Sequence, residues 1–167
     1  MYIGANTVTS GSVLFLDNVF TSTYTNYRIV LSGVTTVAAF GLQMQLRAGG
    51  ASLGTSGYYC NRVQYDYSTN AASYGNASNA AVWNIPAIAA GSATLAASCV
   101  LDIMSPQSSA YATTFSGTGS DPRTTGGGAL TASGVYSPTT SVDGFVISSG
   151  GTSYTNATVR VYGYRQA

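Results

Sequence analysis

The chain has 167 residues and a formal net charge of +1, and Asp, Glu, Lys and Arg make up only 7% of it, against about 25% in soluble proteins at large. That length suits one domain able to bury about 70% of its unfolded surface, and the many Tyr, Val and Thr residues exclude the highly charged composition of disordered chains. The most apolar stretch, Ala80 to Ala97, is interrupted by Asn84, Pro86, Gly91 and Ser92, short of the about 20 apolar residues that a spanning helix needs.

All six cations are arginines and all five acids are aspartates; Lys, Glu and His are absent. Ser, Thr, Asn, Gln and Gly must therefore supply solubility. The N-terminus has no basic segment followed by an apolar run, so no Sec-type signal is expected. Synthesis in the cytoplasm fits that reading.

Helix formers are scarce, because Glu and Lys are missing, while period-two alternation recurs along the chain. Residues 1–11 read as an N-terminal arm. Ser12 to Asp17 places Val13 and Phe15 on one face. Asn26 to Leu31 sets Tyr27, Ile29 and Leu31 against Arg28 and Val30. In Gly41 to Arg47, Leu42, Met44 and Leu46 alternate with Gln43, Gln45 and Arg47. Tyr58 to Tyr67 puts Tyr59, Val63, Tyr65 and Tyr67 on one side and Cys60, Arg62, Gln64 and Asp66 on the other. Ala80 to Ile85 reads as a short strand carrying Trp83. Thr94 to Met104 aligns Leu95, Cys99, Leu101 and Ile103. Strands at Tyr111–Phe115, Ala129–Tyr136, Gly144–Ser148 and Ala157–Arg165 follow, with turns at Gly49-Gly50, Ser105-Pro106, Asp121-Pro122, Gly126 to Gly128 and Gly150-Gly151. About nine or ten short strands of this kind predict a single-domain antiparallel β-sandwich, jelly-roll-like in character.

Most familiar chemistry is excluded by residue type. Without His there is no Ser-His-Asp triad, Cys-His dyad or imidazole metal site. Without Lys there is neither a Schiff-base nucleophile nor a P-loop, so Gly126 to Gly128 reads as a turn. The spacing of Cys60 and Cys99 matches no zinc motif. Both read as small buried hydrophobes, although one disulfide between them stays open. An Asp pair could hydrolyse a glycoside, yet Asp17, Asp66, Asp102, Asp121 and Asp143 are scattered singly and read as turn or surface residues. No stretch resembles an EF-hand loop, though carbonyls with one Asp could still hold calcium. No cofactor is expected. Arg160, Tyr162, Tyr164 and Arg165 could form a platform of cations and aromatics, but a net charge of +1 is too little for phosphate binding. A strand face open to solvent or to another subunit is the reading preferred, with no nucleic acid or membrane partner. Trp83 and the Tyr-rich segment around Tyr65 and Tyr67 could stack on sugar rings, or could form core or interface, which is preferred. Trp83, Tyr65, Tyr67, Tyr162 and Tyr164 are thus the candidate contacts to a glycan or a neighbouring subunit.

Two stretches carry a family resemblance. One is Ser12-Val13-Leu14-Phe15 running into Asn18 to Leu31; the other is Ser141 to Ser148, followed by Val159 to Arg165. Together they resemble small virion proteins and fibre-associated domains of tailed phages, especially those of cyanobacteria and marine bacteria. The resemblance implies a β-sandwich, a homotrimer, and a non-enzymatic place on the virion surface. It carries over no site residues. Because the chain begins almost directly with strand and shows no shaft, the favoured expectation is a head decoration or cement protein bound to the major capsid protein. The alternative is a tail-fibre or receptor-binding module for a host surface glycan. An Asp-based glycosidase is the remote third.

Overall fold

Alternating β-branched and aromatic residues, punctuated by Gly and Asn, leave the backbone one efficient way to pair its polar groups. The computed structural model describes residues 1–164, which hold thirteen strands and no helix. In chain order these are β1 (Tyr2–Val8), β2 (Val13–Leu16), β3 (Asn26–Thr36), β4 (Ala39–Ala48), β5 (Ala51–Ser52), β6 (Tyr58–Asp66), β7 (Ala72–Ala80), β8 (Trp83–Ala90), β9 (Ala97–Met104), β10 (Thr113–Asp121), β11 (Gly128–Tyr136), β12 (Gly144–Ser148) and β13 (Tyr154–Tyr164).

They form two antiparallel sheets packed as a sandwich. The larger has eight strands in the order β1-β13-β3-β9-β10-β11-β6-β7; the smaller has five, running β2-β12-β4-β5, with β8 also paired to β4. These sheets are larger than the two of an eight-stranded jelly roll.

Alternation selects the core. Tyr27, Ile29 and Leu31 of β3 and Leu42, Met44 and Leu46 of β4 enter the shared core cluster from the two sheets, and all six are sealed from solvent. β8 is buried nearly end to end, with Trp83, Ile85, Ala87 and Ala89 in the core cluster. Against β8, β10 presents Gly119, where even a Cβ would stand 1.9 Å from the Pro86 carbonyl oxygen.

Several expectations need adjusting. The supposed arm at residues 1–11 contains β1, which pairs with β13 from Tyr2↔Tyr162 to Val8↔Ala157 and seats the N-terminal amine on the Gly163 carbonyl at 2.7 Å. Val13 and Phe15 do share a face, but it is the exposed one; Leu14 points inward. The strand expected over Ala80 to Ile85 is two strands, broken at residues 81–82. Arg165, at the end of the last expected strand, lies outside the described residues.

The two cysteines are both buried and free. They sit on β9 and β6, three positions apart in the large sheet, about 14 Å at the usual strand spacing. A disulfide tolerates about 7 Å at most between Cα atoms.

Candidate functional site

The outward face of the large sheet is built by cross-strand register. One row reads Tyr162, Arg28, Asp102, Ser116, Ser133 and Asn61, on β13, β3, β9, β10, β11 and β6 in turn. The next, two residues along each strand, reads Arg160, Val30, Val100, Thr118, Thr131 and Val63, and ends at Tyr74 on β7. On the central strands β10 and β11 every outward side chain is Ser, Thr, Ala or Val. Strands to either side carry Arg and Tyr. Short side chains between long ones leave a trough.

Two overlapping depressions make up this trough. The first, of about 670 Å³, is lined by Arg28, Asp102, Asn61, Ser116, Thr131 and Ser133 among others. The second, of about 500 Å³, continues along the same strands past Val100, Thr118 and Thr131 to Ser98 and Ser120.

At one end of the trough Arg28 and Asp102, directly paired across β3 and β9, form a two-pronged ion pair, with Nε to Oδ1 at 2.9 Å and Nη2 to Oδ2 at 2.8 Å. Those hydrogen bonds raise the Arg28 pKa above its ordinary value. Tyr164 adds a hydroxyl contact of 3.4 Å to Asp102 Oδ1; burial and then the Asp102 charge push its phenol up. The side chains of Ser116, Thr118, Thr131, Ser133 and Asn61 make no hydrogen bond to any described residue.

The expected contact residues divide. Trp83 is 0% exposed, packed against Tyr58 and Phe115, with Nε1 donating to the Val135 carbonyl. On this fold it can touch neither glycan nor subunit, which corrects its place among the candidate contacts and leaves it to the core. Tyr65 and Tyr67 are exposed beside the β6 margin of the trough, and Tyr162 and Tyr164 lie on β13 beyond its other margin. Five strand spacings, about 24 Å, separate the two pairs. They flank the trough rather than forming one patch.

The sequence did not single out Arg28, Asp102, Asn61 or the hydroxyl floor. A signal existed in Ser116 to Ser120, where Ser and Thr alternate with Gly, but nothing local shows which strands will lie beside it.

The remaining aspartates are engaged elsewhere. Asp17 binds Arg47 at 2.6 Å, and Asp66 caps the turn after β6, where bonds from Ser68 and Thr69 lower its pKa. Asp121, expected at a turn or on the surface, is instead the last residue of β10 and fully buried, held by Arg123 and Gln64. Asp102 is the single carboxylate lining the trough among the described residues. No group of three or more His, Cys, Asp or Glu that could hold a metal occurs among them. No protein-family model, curated protein or solved structure matches this chain.

Proposed function

We propose that this protein is a non-enzymatic structural protein on the surface of a tailed-phage virion, decorating or cementing the head. It is made in the host cytoplasm, assembles as a homotrimer and binds the major capsid protein. One observation carries the reading beyond the resemblance at the two ends of the chain. Few charges are left free on its surface, because three of its six arginines are consumed in ion pairs within the protein: Arg28 with Asp102, Arg47 with Asp17 and Arg123 with Asp121. Such a surface relies on short-range contact and hydrogen bonding, with little charge steering, and suits permanent assembly.

Electron microscopy of the intact particle tests this. Regularly repeated density over the head is the expected result. Density confined to the tail would end the decoration reading and favour the alternative, a receptor-binding module for a host surface glycan.

A further inference from the structure

We infer that the trough across β3, β9, β10, β11 and β6 is a binding site for a neutral oligosaccharide chain. The inference rests on the non-enzymatic reading above but not on a head or tail position.

The lining chooses the ligand class. Protein interfaces are anchored by Tyr, Trp, Phe, Met and Arg at their centre and are depleted of Ser and Ala. Here the order is reversed: the floor is Ser116, Thr118, Thr131 and Ser133, and the aromatic residues stand at the margins. A partner protein would find no aromatic anchor on that floor, only Val30, Val63 and Val100, a residue type under-represented among hot spots. Nucleic acid needs a concentrated field of cations, and Arg28, the one cation lining the trough among the described residues, is already neutralised by Asp102. An acidic glycan meets the same obstacle.

A neutral sugar fits what remains. Its hydroxyls both donate and accept, as do the Ser and Thr hydroxyls and the Asn61 amide, which have no partner among the described residues. The Arg28–Asp102 pair offers a planar array of donors and acceptors fixed by two hydrogen bonds, so little side-chain entropy is lost on binding. At the opposite margin Tyr74 is 80% exposed and Tyr65 55% exposed. Both supply an apolar face for the C–H side of a pyranose ring. From β3 to β6 the trough spans four strand intervals, about 19 Å, room for a short run of sugar units.

The test is a glycan array carrying neutral gluco-, manno-, galacto- and N-acetylglucosamine oligosaccharides beside sialylated and sulfated ones, followed by calorimetry on any hit. Two variants fill the floor, Thr131→Phe and Ser133→Tyr; each places a strand-compatible side chain at an exposed position. Tyr111→Ala, which alters a separate hollow lined by Tyr24 and Gln107, serves as control. Wild type and control should bind neutral oligosaccharides, without cleaving them. Each filled variant that keeps the wild-type melting profile should lose about tenfold or more in affinity. Three results would each overturn the site: no neutral oligosaccharide bound, binding indifferent to both filled variants, or binding confined to acidic glycans and abolished by Arg160→Gln. Cleavage of a bound glycan would instead overturn the non-enzymatic reading on which the site rests, while leaving its location standing.

Discussion

The Trp83 indole on β8 donates its Nε1 hydrogen to the Val135 carbonyl on β11, at 3.1 Å, and so fastens the small sheet to the large one. The same ring packs against Tyr58 at 5.4 Å and Phe115 at 4.7 Å between centroids. Two separable contributions follow. Trp83→Phe removes the donor and its bond to the Val135 carbonyl, a loss of about 0.5–1.5 kcal/mol. Trp83→Ala also empties the centre of the core, for about 3–5 kcal/mol. Urea unfolding should show both losses, with the Ala variant the larger. Equal losses would mean that the hydrogen bond, not the packing, dominates.

A different scale applies to Arg28 and Asp102. The Arg28 side chain is 53% exposed and that of Asp102 26% exposed, so water screens the pair and its net worth is about 0–1 kcal/mol. Asp102→Asn should shift the unfolding midpoint little, and added salt should shrink the difference further. A loss as large as that of Trp83→Ala would show that the pair holds β3 to β9 rather than shaping the trough.

The contrast between these pairs also marks what could be read from the sequence. Inward parity on β3 and β4 was legible because each strand carries large aliphatic residues on one side only. On β6 the parity was legible but its direction was not. Tyr59, Val63 and Tyr65 look like the core face, yet they point outward. The polar set points in because Gln64 binds the buried Asp121, while Arg62 fills the space left by Gly41 and Gly75. β1 was missed because its IGANTV segment lacks large alternating residues and owes its order to pairing with β13. β7, as Ala-, Ser- and Asn-rich, is likewise a strand by virtue of β6. The trough was illegible for a related reason: it depends on the lateral order of five strands, which no local pattern encodes.

Gly119 tests how tightly the layers meet. A Cβ there would fall 1.9 Å from the Pro86 carbonyl oxygen and 2.6 Å from the Cys99 Cβ, so backbone must move. Gly119→Ala should cost about 1–3 kcal/mol by overpacking. At Gly75 the nearest atoms belong to the flexible Arg62 side chain at 3.7 Å, an ordinary contact, and Gly75→Ala should be close to neutral. Thermal melting of the two variants checks the contrast. Equal behaviour would mean that β8 can yield to β10.

The buried ionisable groups set the response to alkali. Burial pushes the Cys99 thiol up to about 12 and raises the phenols of Tyr58 and Tyr154 well above their ordinary value. In each case the neutral form is favoured in the folded state, whereas the unfolded groups ionise from about pH 8.5–10. The stabilisation is therefore fully present below that range and is lost progressively as pH rises through it toward the folded-state values. The melting temperature should fall steadily above about pH 9, and Tyr154→Phe, which removes one of the groups, should make the fall shallower. A parallel check uses the thiol itself. Between an ordinary thiol near 9 and one at about 12, the thiolate present at pH 8 differs about a thousandfold. Native protein should therefore resist iodoacetamide at Cys99, and alkylation should follow unfolding. A melting temperature flat to strong alkali, or rapid native labelling of Cys99, would mean that the core between β9 and β8 admits water.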